Sequence, residues 1–322
     1  MYSQHKISII CPNYNKGIFI GETIDSVLAS SYKDWELIII DDGSTDDSLR
    51  IIQEFASKDQ RIKYHQQSNQ GGAVARNMGM TMATGEYLLF LDSDDLIASD
   101  CLEQRVKMAK LHPNGIGWVF PLLPFKGNFS EQDFIQPWIP PKDRFLERLI
   151  EHDITWTSMS PLWKTASIVP YFKWNAHYPR LQDIEFHTHI LLKGERIFTF
   201  PEKNPDCYYR LDEQKLVIGN RFQYLEKWGK GCDLYVHEFW NKIPKGMAPK
   251  LSRTILAFLS VAGHYYRKKQ ITTDQFQSLI RTAKQYSPNG RHQILLSLYG
   301  NLLKLMPFHV PGVNGFFKFW IR

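Results

Sequence analysis

Asp92-Ser93-Asp94-Asp95 sets three carboxylates within four residues, directly behind an apolar run at 86–91. Like charges this close repel when unpaired, and a hard divalent cation bound through oxygen relieves that repulsion. A nucleotide diphosphate adds its own oxygens to such an ion, so the two carboxylates of Asp92 and Asp94 suffice as protein ligands. Asp is equally a residue of turns and helix caps, so the cluster alone leaves both readings open. Asp41-Asp42 repeats the arrangement behind a second apolar run, 35–40. A carboxylate there can accept a hydrogen bond from a ring N–H of a pyrimidine base. Ser44 or Thr45 in the same stretch would serve as a helix cap. Pro12-Asn13-Tyr14-Asn15 supplies a stiff turn and an aromatic ring, suited to contact a base or ribose or simply to shape the turn.

These clusters need elements to position them, and the first 120 residues alternate strand and helix signals. Strands are expected at 6–11, 35–40, 61–65 and 86–91, and helices at 21–30, 47–56, 73–83 and 100–111. The run at 35–40 is apolar throughout, as a central parallel strand should be. A βαβα order predicts an α/β fold with a mostly parallel sheet and helices on both faces. Ligands in such sheets bind at the carboxyl ends of the strands, where all three polar clusters fall. Residues 121–200 are less regular and rich in Trp and Pro, with a helix at 182–193 and a strand at 196–200.

From 221 to the last residue, 16 Lys and Arg face 4 Asp and Glu, a balance of +12; the preceding residues carry 23 against 29, or −6. A basic, helical region behind an acidic body suits an anionic membrane surface, or is a solvated helical face. Residues 302–322 mix Phe308, Phe316, Phe317, Phe319 and Trp320 with Lys304, Lys318 and Arg322, a composition of membrane interfaces and also of packed tails. The four cysteines are scattered, with no CxxC pair, which argues against structural zinc and fits a reducing compartment. Neither a leader peptide nor a run long enough to span a bilayer is evident, so a cytoplasmic protein with peripheral membrane attachment is expected.

Four segments in order, 7–15 (ISIICPNYN), 36–46 (ELIIIDDGSTD), 69–79 (NQGGAVARNMG) and 85–95 (GEYLLFLDSDD), resemble the family 2 glycosyltransferases over about ninety residues. The resemblance, which covers roughly residues 5–215, implies a GT-A, Rossmann-like fold for a catalytic domain at 1–215, with a nucleotide-binding half (1–120) and an acceptor-binding half (121–215). Beyond it, the residue pattern gives a basic, mainly helical C-terminal extension at 216–322. It implies that Pro12, Asn13 and Tyr14 hold the nucleoside, that Asp42 accepts from the uracil ring, and that Arg76 lies near the nucleotide. Asp92, Ser93 and Asp94 match the metal motif, with Asp94 the more direct ligand to Mn2+ or Mg2+, Asp92 nearer the ribose, and Asp95 facing the donor sugar. An inverting transfer needs a base to deprotonate the acceptor hydroxyl. The family's Glu-Asp pair is matched by Gln182-Asp183, which departs at its first residue and makes Asp183 the base, with Glu185 its rival. His189 stands six positions on, where the family often has a basic residue. Tyr208-Tyr209-Arg210 resembles the closing strand, from which Arg210 or Lys215 would reach the diphosphate on a mobile loop. A UDP-sugar donor and a saccharide acceptor, lipid-linked or lipopolysaccharide-type, are what the resemblance implies.

A nucleotidyltransferase would carry a Gly- and Lys-rich phosphate loop after the first strand, and residues 12–17 are not one. A non-catalytic nucleotide-sugar binder would not need Asp92, Asp94 and Asp183 together. No GxGxxG follows any expected strand, which excludes a dinucleotide-dependent oxidoreductase, and no nucleic-acid-binding module is recognisable, so none is expected to bind.

Overall fold

The first four strands, β1 (Ser3–Asn13), β2 (Trp35–Asp41), β3 (Ile62–Gln66) and β4 (Gly85–Phe90), run parallel in the order β3-β2-β1-β4. The computed structural model describes residues 3–127, 129, 134–153, 156–211 and 221–305. All seven residues of β2 are buried, as expected for an apolar strand covered on both faces. Between the strands lie α1 (Ile20–Leu28), α2 (Ser48–Lys58) and α3 (Gly72–Met82), each within about two residues of the helix its apolar spacing predicts.

Two of these helices are held by specific chemistry. The expectation that Ser44 or Thr45 caps α2 is corrected: Asp46 Oδ1 accepts from Ser48 N at 3.0 Å. On α3, a Cβ at Gly79 would stand 2.4 Å from Ile10 Cγ2, so only glycine lets this helix lie so close to β1.

Beyond β4 the sheet continues through β8 (Pro161–Lys164), β6 (Gly117–Val119) and β9 (Ile197–Thr199) to seven strands. β8 is antiparallel to both neighbours, and the other four pairings are parallel. A second sheet joins β5 (Leu96–Ile97), β10 (Cys207–Leu211) and β7 (Leu122–Lys126). This is a mostly parallel α/β sheet of GT-A type flanked by helices, as expected.

The chain divides into two compact units that interleave in sequence. The sheet unit comprises 1–143, 155–176 and 189–212; the helical unit comprises 144–154, 177–188 and 213–322. The sheet unit also holds α4 (Cys101–Leu111) and α6 (Thr165–Ile168). In the helical unit α5 (Phe145–Ile150) carries Glu147, which pairs with Lys250, while Arg253 pairs with Glu151 at 2.7 Å. The start of α7 (Gln182–Leu192) also belongs there, followed by α8 (Arg221–Phe239), α9 (Ser252–Arg267), α10 (Thr273–Ala283) and α11 (Gly290–Leu305). No described helix is long and apolar enough to cross a membrane.

Candidate functional site

The carboxyl ends of β1, β2 and β4 lie side by side. Asn13 pairs with Asp41 in register, and Leu91 N donates to Ile10 O at 3.0 Å just beyond β4. The loops after β1 and β2 are fastened to each other residue by residue. Asn13 Nδ2 donates to Asp41 Oδ1 at 2.9 Å, and Asn15 N donates to Ser44 Oγ at 2.9 Å. Thr45 N donates to Asn15 Oδ1 at 2.8 Å, and Gly17 N to Asp46 Oδ2 at 2.8 Å. Asn15 takes φ 50, a left-handed value that Asn tolerates better than most residues. Held between these bonds, Tyr14 stands 47% exposed, its ring available to a ligand.

Asp42 is 3% exposed and collects three donors. Gln67 Nε2 reaches Oδ1 at 2.7 Å, Gln70 N reaches the same oxygen at 2.9 Å, and Gly71 N reaches Oδ2 at 2.7 Å. Gly71 has φ 91, which a side chain would resist, and this turn aims its N–H at the carboxylate while opening α3. An ionised carboxylate has about four acceptor positions, so Asp42 orders the 67–71 loop and keeps one for a further donor.

The cluster after β4 holds its charges against cations. Asp92 Oδ1 accepts from Arg76 Nη2 at 2.6 Å, and Asp94 Oδ2 pairs with Lys16 Nζ at 2.8 Å. Ser93, Asp94 and Asp95 are buried at 4%, 3% and 1% exposure. The thiol of Cys11 registers the local field: burial first, then the negative charges of Asp92, Asp94 and Asp95, push it well above its ordinary range. The cluster does not cap α4, which begins only at Cys101 and has no side-chain cap, but it does form a turn, with Asp95 N donating to Asp92 O at 3.0 Å.

Arg210 sits in β10 rather than on a mobile loop. Its N–H donates to Asp95 Oδ1 at 2.8 Å, Nε to Asp94 O at 2.9 Å, Nη1 to Gly127 O at 2.9 Å and Nη2 to Glu22 Oε2 at 2.5 Å. Buried at 4% exposure and wedged between the rings of Phe19 and Phe125, it braces the acidic turn. Lys215, its alternative, lies outside the described residues.

Pro12, Asn13, Tyr14, Asp42, Arg76, Asp92, Ser93, Asp94 and Asp95 thus all belong to the sheet unit, at or beside one sheet edge. Asp183 belongs to the helical unit, at the second position of α7, half-buried, with Oδ1 accepting from Ile184 N at 3.0 Å. Glu185 is buried. Sequence reasoning missed Lys16, although a cation four residues past Pro12 in the first loop was a visible signal. It also missed the pair Asn77 and Trp174, 97 residues apart, where Asn77 Nδ2 donates to Trp174 O at 2.8 Å and Asn77 Oδ1 accepts from Trp174 N at 2.8 Å. That clasp sets the indole ring 4.7 Å from Arg76 Cζ, orienting the guanidinium. No local sequence signal announces it.

The residues present fit a hard divalent cation. Asp94 and Asp92 offer oxygen, and each already draws a side-chain cation to within 2.8 Å. Cys101, Asp206 and Cys207 also lie within ligating distance of one another, but they are buried and different in kind. Both oxygens of Asp206 take donors from Arg105, at 2.8 and 2.6 Å, and the same guanidinium lies 2.9 Å from Cys207 Sγ. Burial, then the hydrogen bond with Cys207, pushes the Cys101 thiol up, and Arg105 with Asp206 forms a buried ion pair.

The family model described as Glycosyl transferase family 2 matches residues 8–166. An uncharacterized glycosyltransferase of Haemophilus influenzae is 50% identical over 101 residues, 31% of this chain and 40% of that protein. Bacillus subtilis TuaG, a glycosyltransferase named for teichuronic acid biosynthesis, is 43% identical over 102 residues, 31% of this chain and 40% of that one. The matched segment thus spans well under half the length of these relatives. The structure of S. aureus TarS 1-349 in complex with UDP-GlcNAc superposes with a TM-score of 0.69 at 20% identity, covering 93% of this chain and 88% of that one. The mannosyltransferase PcManGT of Pyrobaculum calidifontis, in complex with GDP-Man and Mn2+, gives a TM-score of 0.53 at 16% identity, covering 94% and 86%.

Proposed function

We propose that this chain, whose residues 8–166 match the glycosyl transferase family 2, transfers a sugar from a nucleotide-sugar, with UDP as the nucleotide, to a saccharide acceptor with inversion. The observation that carries the reading is the meeting of three strand-end loops at one edge, with Asp94 buried there against a cation. In this reading the loop at 12–15 receives the nucleoside, with Tyr14 against the base or ribose. Asp42 accepts from the base with the one position that its three loop donors leave open. Asp92 addresses the ribose, Ser93 and Asp95 the rest of the donor, and Arg76 stays beside the nucleotide, steadied by Trp174.

Asp94, with Asp92, would hold Mn2+ or Mg2+, and the bound ion would supply charge stabilisation for the departing diphosphate. Lys16 and Arg76 are the protein's own cations beside the same charge. On the acceptor side, Asp183 takes the proton from the attacking hydroxyl. The oxygen bonds to the anomeric carbon as that carbon's bond to the diphosphate oxygen breaks, and the electron pair leaves with the nucleotide. One displacement from the opposite face inverts the centre. TuaG, named for teichuronic acid biosynthesis, supports a cell-surface polysaccharide setting. A lipid-linked or lipopolysaccharide-type acceptor, a cytoplasmic location and a basic C-terminal region held to an anionic membrane complete the same reading.

Calorimetric titration with UDP, GDP and dTDP, with and without Mn2+, tests the reading. Mn2+-dependent binding that favours UDP is expected; no nucleotide binding under any condition would overturn it.

A further inference from the structure

α11 is apolar on two opposite faces. Inward, His292, Leu296, Tyr299 and Leu303 are buried, with His292 Nδ1 3.0 Å from Ser252 Oγ of α9. Outward, Ile294, Leu298, Leu302 and Leu305 are 64%, 53%, 41% and 79% exposed. Their spacing of four, four and three residues puts them on a single stripe, one per turn of helix. Among the described residues they are also the whole set of exposed large hydrophobic side chains in the helical unit. A surface helix needs only one apolar stripe to pack, so the second is surplus unless something covers it.

We propose that this outer face of α11 lies in the headgroup region of an anionic bilayer. The inference rests on the reading of the C-terminal region as the membrane-facing part of a glycosyltransferase. Charge argues for this occupant: the region from 221 onward carries 16 cations against 4 acids, and Arg291 shares the outer face. The same balance argues against a second copy, which would bring like charge to the contact. An exposed apolar stripe in a basic region calls for an apolar partner with a negative rim, as an interfacial helix does.

The test is vesicle co-sedimentation of the full chain, comparing phosphatidylglycerol–phosphatidylcholine mixtures with phosphatidylcholine alone. The variant is Leu298→Gln with Leu302→Gln, both exposed and outside the donor site. Salt-sensitive binding to the anionic vesicles is expected, weakened at least about tenfold by the double variant, with unchanged circular dichroism and UDP binding. If the wild type binds no anionic vesicle, this inference and the membrane reading both fail, and UDP binding still judges the donor site separately. If the variant binds vesicles as the wild type does, the stripe is not the docking face, although the membrane reading stands. A wild-type dimer in light scattering that the variant dissociates would assign the face to a second copy. Lower thermal stability with unaltered vesicle binding would assign it to the chain's own tail.

Discussion

The two compact units keep their charges in opposite ways. In the sheet unit, cations come to acids that are buried or partly buried: Arg105 to Asp206, Lys63 to Glu36, Lys16 to Asp94, and Arg76 to the partly exposed Asp92. In the helical unit, cations predominate by sequence and the apolar surplus lies on one exposed helix face. The first arrangement costs desolvation at each carboxylate and is worthwhile where a negative site must persist to receive a ligand. The second leaves charge in water and suits a surface that meets another surface. In the proposed reading, the first arrangement serves a small anionic donor and its metal, and the second an extended anionic partner.

That contrast can be broken where the sheet unit is most buried. Arg105 is fully enclosed, so Asp206→Ala would strand its charge between α4 and β10 and should cost about 3–5 kcal/mol in urea denaturation. An equal loss from Asp153→Ala, whose pair with Arg148 at 2.8 Å is exposed, would show that burial is not what distinguishes the pairs.

Acid should sharpen the comparison further. In the helical unit, burial lowers His187 from 6.5 to about 3. Burial alone would raise Glu36 of the sheet unit, but hydrogen bonds from Lys63, Ser8 and Thr84 prevail and bring it from 4.5 to about 2. Both folded values are depressed, so both contributions are complete above the unfolded pKa and are lost as pH falls. Stability should hold near neutrality and fall between pH 6.5 and 4 by roughly 3 kcal/mol from His187. Loss from Glu36 should follow between 4.5 and 2. Denaturation midpoints of His187→Phe and Glu36→Gln across this range would separate the phases; a His187→Phe profile unchanged from wild type would remove the first assignment.

The smallest expected effect belongs to the helical unit's surface. Thr272 and Gln275 form a reciprocal capping box at the start of α10, with Gln275 N donating to Thr272 Oγ1 at 3.2 Å and Thr272 N to Gln275 Oε1 at 2.9 Å. Thr272→Ala should cost about 1 kcal/mol and leave nucleotide binding untouched. A change in nucleotide affinity would contradict a purely local role for this cap.

The sequence was most legible where one residue type repeats for one reason. The apolar runs of β2 and β4 and the carboxylates behind them announce buried parallel strands and a polar edge, and Gly71 with Gly79 marks where α3 turns and packs. Legibility ended where partners are distant in the chain. Nothing near Trp174 predicts its clasp with Asn77, nothing in 161–164 predicts an antiparallel strand inserted between β4 and β6, and Arg210 looked mobile because its four acceptors lie far away in sequence. The outer stripe of α11 has helical spacing, but only its exposure separates it from an ordinary core face.

In the proposed reading, Asp94 of the sheet unit holds the donor and Asp183 of the helical unit activates the acceptor. Mn2+-dependent UDP affinity and UDP release from a UDP-sugar should therefore be measured side by side for Asp94→Ala and Asp183→Asn. The account predicts that Asp94→Ala loses about tenfold or more in affinity. It predicts that Asp183→Asn binds UDP as the wild type does while releasing it about 100-fold more slowly or worse. Unaltered Mn2+-dependent binding in Asp94→Ala, or full turnover in Asp183→Asn, would contradict it.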